Sequence, residues 1–289
     1  MDNLARVHFP SSLREAADLL VARPGARPLA GGTDLLVRHR NGQLPDVTDF
    51  VDLSGLDLQK ITAEDGRVVI GSGCTMTAVA THPLIRERFP ALVQGALQVG
   101  AFQIRNAATL GGNVGNASPA GDTIPCLISL EAEVRLFGPA GRRAVPLADF
   151  FTGPGRTVLQ PGELIEAFAL PDRRTAGAFL KLGERRAHAI SKVSLALSCW
   201  EIAGGRREVR LALGAVAPTV IRCRKAEELL SAAPWPPSAE LADKARRLVT
   251  EAARPIDDLR SAKEYRRQMT GVLFAKALEQ VIGRGASAR

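Results

Sequence analysis

Apolar positions in the first hundred residues fall into short runs, each closed by glycine or proline. Ser12-x-x-Glu15 has the form of a capping box, and Leu13, Ala16, Ala17 and Leu20 then share one helical face until Pro24-Gly25 stops it. Pro28 to Ala30 reads as a short strand broken by Gly31-Gly32, and Val47 to Leu53 as another. Asp65-Gly66 signals a turn into a strand over Val68 to Ile70. Met76 to Val99 has a helical pattern divided by Pro83 and Pro90. The glycine- and asparagine-rich stretch 111–121 reads as loop before an apolar run from Ile124 to Leu130. Val134 to Phe137 and Ala144 to Leu147 predict a hairpin with a four-residue loop, Gly138 to Gly141. Farther on, Ser194 to Ile202 and Glu208 to Val216 predict a long antiparallel hairpin about Gly204-Gly205. Helical patterns follow at 223–231, 239–253 and 261–281, the first two joined by Ala-Pro-Trp-Pro-Pro at 233–237. Strands followed by helices place this second unit in the α+β class.

Charge sharpens the division. Residues 1–172 carry 15 Lys+Arg against 18 Asp+Glu, and residues 173–289 carry 23 against 12; the balances of −3 and +11 give the chain its +8. A domain boundary is therefore expected at Pro171, separating 1–172 from 173–289. The basic half is not interleaved with aromatics, since the chain has one Tyr and two Trp, so no stacking platform for nucleic acid is expected. No run approaches the 18 apolar residues of a membrane span, and the start, from Met1 to Arg6, does not read as a secretory leader; the expected address is the cytoplasm. Cys74, Cys126, Cys199 and Cys223 are too scattered to suggest an iron–sulfur or zinc site, and are read as buried thiols. The four histidines lack metal-ligand spacing, so no metal site is expected. Tyr265 is expected in the core or at an interface.

Two segments carry candidate chemistry. One is Leu29-Ala30-Gly31-Gly32-Thr33-Asp34-Leu35-Leu36; the other runs from Thr109-Leu110-Gly111-Gly112-Asn113 through Ser118 to Asp122. Paired glycines let a backbone turn sharply and approach a ligand, and successive amides in such a loop form an anion-binding nest. Two nests from distant segments suit a pyrophosphate, with Thr33, Asn113 and Ser118 adding side-chain hydrogen bonds and Asp122 accepting from ribose hydroxyls. Neither loop is a Rossmann fingerprint or a P-loop, because no G-x-G-x-x-G and no Gly-Lys-Ser/Thr is present. A non-redox nucleotide-binding scaffold and an enzyme both remain open on these residues.

The strings AGGTDLL (30–36), TLGGNVGNASPAGDTIP (109–125) and KLGERRAHAISKVSLA (181–196), in this order and spacing, resemble the FAD-binding medium subunits of the molybdenum hydroxylases, the xanthine dehydrogenase and carbon monoxide dehydrogenase group. The likeness runs from about residue 4 to about residue 280. It implies a two-lobed FAD-binding domain of the vanillyl-alcohol-oxidase (PCMH) type over 1–172, with lobes of about 1–55 and 56–172, and a C-terminal α+β domain over 173–289. Carried over by position, it implies FAD contacts from Leu29 to Leu36, from Thr109 to Asn113, and from Asp122, Ile165 and Lys181. It assigns no catalytic side chain. Arg185 and Arg186 are expected near the domain interface. The hydroxybenzoyl-CoA reductase branch has a cysteine-bearing insertion here, and this chain has none, so FAD, held non-covalently, is expected as its one redox centre. The resemblance further implies a large partner with molybdopterin and a small partner with [2Fe–2S] clusters, in a heterotrimer or dimer of heterotrimers. Electrons would pass from those clusters to NAD+, oxygen or another acceptor. A self-contained FAD-dependent oxidoreductase is the rival reading.

Overall fold

The computed structural model describes residues 5–185 and 188–286. Arg186, named above as an interface residue, lies outside the described residues. The chain begins with β1 (Arg6–His8), α1 (Leu13–Ala22), β2 (Ala26–Leu29), α2 (Leu35–Arg40) and β3 (Asp49–Asp52). These strands form a parallel sheet in the order β1-β3-β2, with α1 as the crossover. Ser12 caps α1 by accepting from the Glu15 amide at 3.2 Å. The Glu15 carboxylate returns to the Ser11 amide and hydroxyl, one residue earlier than a capping box requires.

Next come β4 (Ile61–Glu64) and β5 (Arg67–Gly71), joined by Asp65-Gly66, both left-handed at φ 48° and 70°. That pair of positive φ values suits a two-residue hairpin turn. Six helices follow: α3 (Met76–Thr81), α4 (Pro83–Arg88), α5 (Pro90–Gln98), α6 (Phe102–Ala107), α7 (Leu110–Gly115) and α8 (Thr123–Ser129). Pro83 and Pro90 each sit in the first turn of a helix, so they divide the helical stretch as expected. The stretch 111–121, expected as loop, instead carries α7, because Thr109 caps it and its glycines need no positive φ. The strands β6 (Glu133–Gly138) and β7 (Gly141–Pro146) pair from Glu133–Pro146 to Gly138–Gly141. The loop is therefore Pro139-Ala140 alone, two residues and not four, with Gly141 at φ 104° absorbing the reversal. After β8 (Phe151–Gly153) and β9 (Arg156–Thr157), β10 (Leu164–Pro171) completes a five-stranded antiparallel sheet, β4-β5-β10-β6-β7.

A second antiparallel sheet, in the order β11-β12-β13-β14, consists of β11 (Ala176–Leu182), β12 (Val193–Glu201), β13 (Arg207–Gly214) and β14 (Ile221–Arg222). Three helices close the chain: α9 (Arg224–Ser231), α10 (Ala239–Ala252) and α11 (Lys263–Ala286). The expected 194–216 hairpin is β12–β13. Tyr265 is 45% exposed, not core.

Both faces of this sheet are covered, and side-chain size differs between them. Along β12, Val193, Leu195, Leu197 and Cys199 join the core with α9–α11, while Ala196 joins the core of the five-stranded sheet with α3–α5, α7 and α8. On that second face Ser198 meets Ser129 of α8, hydroxyl to hydroxyl at 2.9 Å. Gly177 of β11 lies against Ala91 of α5, where an added Cβ would be 3.1 Å away. Small residues let α5 and α8 lie close on the sheet. The same alternation puts Lys181, two residues beyond Phe179 of that core, on the face toward these helices. No helix among the described residues is long and apolar enough to cross a membrane.

Candidate cofactor-binding site

The two glycine loops, 80 residues apart at their first glycines, meet in space. A Cβ built on Gly31 would lie 1.8 Å from the Ala107 carbonyl oxygen and 3.1 Å from Ala108 Cα, immediately before Thr109. No side chain fits there, so glycine is what permits the approach. Gly32 has φ 67° and turns the chain from the end of β2 into α2. Its carbonyl accepts from the Leu36 amide at 3.1 Å. Among the described residues, the amides of Gly31, Gly32, Thr33 and Asp34 donate to no acceptor in the chain, which is the condition of an anion-binding nest. Leu29, Ala30, Thr33 and Leu35 are half-buried around this turn; Asp34 and Leu36 are exposed. Asp34 also lies 3.8 Å from Arg38, one helical turn on.

The second loop is built differently from the nest expected of it. Its amides are already used: Leu110 donates to Cys74 at 2.9 Å, Gly111 to Ser72 at 2.8 Å, Gly112 to the Thr109 hydroxyl at 3.0 Å, and Asn113 to the Thr109 carbonyl at 3.0 Å. The preceding turn, Gly71-Ser72-Gly73-Cys74, runs alongside and takes the first two donors, and Thr109, capping the helix, takes the other two. Gly111 is tight against it, 2.6 Å from the Ser72 Cβ when a Cβ is added. Gly112 is exposed, and a Cβ there would meet only the Thr109 hydroxyl, at 3.0 Å. The loop thus offers an open backbone face at Gly112 and no row of free amides. Leu110 is fully buried beneath it. The Asn113 side-chain oxygen accepts from the Thr123 hydroxyl at 2.6 Å, and Ser118 accepts from the Ala120 amide at 3.3 Å; neither points freely from the loop.

Asp122 and Lys181 form a buried ion pair. The Lys181 ammonium donates to one Asp122 oxygen at 2.7 Å, with each side chain 9% exposed. It also donates to the Gln98 carbonyl at 2.9 Å and the Ala189 carbonyl at 3.1 Å. The other Asp122 oxygen accepts from the Ser191 hydroxyl at 2.9 Å. Burial pushes the Asp122 carboxyl up, and the charge and hydrogen bond of Lys181, with Ser191, pull it back. Ile165, at a bulge in β10, is buried in the core; its Cδ1 lies 3.6 Å from a Cβ placed on Gly115, at the far end of α7. Ile165 thus packs under the second loop's helix.

Comparison with known proteins bears on the whole chain. A family model described as the FAD binding domain in molybdopterin dehydrogenase matches residues 3–173. A second, the CO dehydrogenase flavoprotein C-terminal domain, matches residues 178–281. The chain belongs to the FAD-binding medium subunits of the molybdenum hydroxylases.

A putative xanthine dehydrogenase FAD-binding subunit of Escherichia coli K12 is 33% identical over 288 residues, 98% of this chain and 97% of that one. The carbon monoxide dehydrogenase medium chain of Afipia carboxidovorans is 32% identical, covering 96% of each. The solved structure of reconstituted CO dehydrogenase from Oligotropha carboxidovorans superimposes with a TM-score of 0.91 at 30% identity, over 97% of this chain and 98% of that one. The fold is accordingly the expected one, a PCMH-type FAD-binding domain followed by the C-terminal α+β domain of the CO dehydrogenase flavoproteins, and the medium subunit is a component of molybdenum-dependent dehydrogenases.

Sequence reasoning named both glycine loops and left out the turn between them. Gly71-Ser72-Gly73 fixes the second loop, and its Gly-Ser-Gly composition was the available signal. Ser191 and the Ala107–Ala108 platform carried no local signal.

Proposed function

We propose that this medium subunit holds FAD non-covalently across its two glycine loops. Leu29, Ala30, Gly31, Gly32, Thr33, Asp34, Leu35 and Leu36 form one side, and Thr109, Leu110, Gly111, Gly112 and Asn113 the other, with Asp122, Ile165 and Lys181 bordering them. The single observation that carries this reading is the junction at Gly31: it sets four free amides against the Ala107–Ala108 backbone that leads into the second loop. A diphosphate fits such a place, because the amides neutralise its charge while Gly112 admits its bulk. Neither loop contains His, Cys or Tyr, the residues that tether a flavin covalently. FAD supplies redox chemistry when bound, and the protein supplies its position and electrostatics.

In the complex, the subunit passes electrons from [2Fe–2S] clusters on a small partner to an acceptor such as NAD+ or oxygen. A large partner carries the molybdopterin, in a heterotrimer or a dimer of heterotrimers. The names of the relatives support this reading, since CO dehydrogenase and nicotine 6-hydroxylase each have a medium component. Residues 1–172, with lobes of about 1–55 and 56–172, form the FAD-binding domain in this proposal, and residues 173–289 the C-terminal domain. The four cysteines are free thiols buried in the chain, and burial raises Cys74, Cys199 and Cys223 each to about 11. They are built to stay protonated in the core. The test is direct: the purified chain shows absorbance bands near about 370 and 450 nm, as an oxidised flavin does. A colourless chain that takes up no added FAD would end the proposal.

A further inference from the structure

Lys181 has three hydrogens to donate, and the chain supplies an acceptor for each: Asp122, the Gln98 carbonyl and the Ala189 carbonyl. The three acceptors come from three places in the fold: the N-terminus of α8, the end of α5, and the segment that returns into β12. Nothing is left to offer a ligand without breaking one of these bonds. The returning segment is held at its base as well, where the Lys192 amide donates to the Leu182 carbonyl at 2.7 Å. Gly183 lies tightly against Ala189 there, since an added Cβ would meet that of Ala189 at 2.5 Å. Asp122 receives Ser191 from the same segment. On its other side Asp122 is flanked by Thr123, whose hydroxyl holds the Asn113 side-chain oxygen of the second glycine loop, and by Gly121, where an added Cβ would lie 3.3 Å from that same oxygen.

We propose that Lys181 is a positioning residue: it clasps the Ala189–Ser191 segment and the end of α5 onto Asp122, and through Thr123 and Asn113 fixes the second glycine loop. The inference rests on the FAD reading above for its functional consequence, while the clasp itself is a property of the chain. It differs from the role implied by family resemblance, in which this lysine reaches the flavin itself. A cation is needed because the Asp122 carboxylate is buried and its remaining polar neighbour is a neutral hydroxyl. Unpaired, a buried carboxylate is costly enough to take up a proton or to open the structure around it.

The experiment uses the full chain in three forms: wild type, K181M, and D122N/K181M. Hydrogen exchange is followed in the peptide covering 189–192, on FAD-stripped protein, and FAD release is followed by the recovery of flavin fluorescence. In K181M, exchange in 189–192 accelerates, and FAD leaves on the order of tenfold faster, the scale on which groups that orient a ligand-holding residue act. Release from K181M also becomes pH-dependent, because burial raises the Asp122 carboxyl and, without Lys181, only the Ser191 hydroxyl still bonds it. The double variant keeps the faster exchange but loses that pH dependence, and it covers the case in which K181M fails to fold. Wild-type exchange in both variants overturns the clasp. Faster FAD release with unchanged exchange also overturns it, by showing that Lys181 acts on the cofactor directly. If the wild type binds no FAD, the cofactor reading fails, and the exchange measurement still decides the clasp.

Discussion

At Gly31 and Gly112 the same residue type serves two different needs, and substitution separates them. Gly31 is glycine because the neighbouring backbone leaves no room: an added Cβ would sit inside the Ala107 carbonyl. Gly112 meets no such obstacle from the chain. G31V therefore has to push the two loops apart, at the cost of overpacking, roughly 1–3 kcal/mol or more, and loses both stability and FAD. G112V obstructs the proposed ligand face and little else, so its unfolding free energy stays within about 0.5 kcal/mol of wild type while its flavin content falls sharply. Flavin-to-protein absorbance and denaturant melts on both variants check this. Full flavin content in G112V would remove the second loop from the site. Both glycine pairs were legible in the sequence. That Gly31 faces Ala107 was not, because the contact joins residues 76 apart. The donors of the second loop were also misread, since two of their acceptors, Ser72 and Cys74, lie in a different turn and the other two are the hydroxyl and carbonyl of the capping Thr109.

At the scale of elements, helix boundaries set by proline and caps were the most legible, and strands buried on both faces the least. β12 shows no burial alternation from Val193 to Trp200, so its two faces differ in side-chain size and not in polarity. β11, with Gly177 and Lys181 on one side, gave no strand pattern and was missed. The small face makes a test. Ala196 is fully buried where α8 approaches the sheet, and A196L should lower stability by roughly 1–3 kcal/mol in a denaturant melt; a neutral result would mean that α8 does not press on this face. A second element-level device is Glu131, left-handed at φ 56° just after α8. It accepts from Arg173 at 2.5 Å and from Arg210 of β13 at 2.6 Å, and Arg173 in turn lies 3.5 Å over the Trp200 ring. Burial works to raise the Glu131 carboxyl, and the two arginines overcome it, leaving it below the usual carboxylate value. A carboxyl lowered in the folded state contributes its stability above its unfolded value, about 4.3, and loses it as pH falls through the folded one. The midpoint should therefore drop as pH falls below about 4.3. E131Q, lower by roughly 1–3 kcal/mol at pH 7, should lose part of that acid sensitivity. An E131Q profile parallel to wild type would exclude this pair as its source.

For the whole molecule, the division of charge is the feature the sequence showed best and the fold explains least locally. The +11 of residues 173–289 is spread over a sheet and three helices, and part of it is spent inside the chain: Arg173, Arg210 and Arg222 serve Glu131, Glu208 and Glu227. Non-covalent cofactor binding makes a first prediction at this scale. Acid precipitation should release all the flavin into the supernatant, and a yellow pellet would contradict the two-loop site, which has no tethering side chain. The last prediction concerns dependence on partners. Electron transfer requires the flavin to lie near an iron–sulfur cluster, and a cluster needs converging thiolates. Here Cys74, Cys126, Cys199 and Cys223 are buried separately and, in every case, pushed by burial toward the protonated form. The proposed cluster must therefore arrive on another polypeptide, across an interface of about 1,000 Å² or more. The isolated chain, loaded with FAD and given an artificial electron acceptor, should turn over none of a panel of purines, aldehydes, N-heterocycles and carbon monoxide. Co-expressed with its partners, the complex should contain molybdenum and iron and act on one of these classes. Turnover by the single chain at a rate comparable to the complex would overturn the subunit reading and establish a self-contained oxidoreductase built on the same two loops.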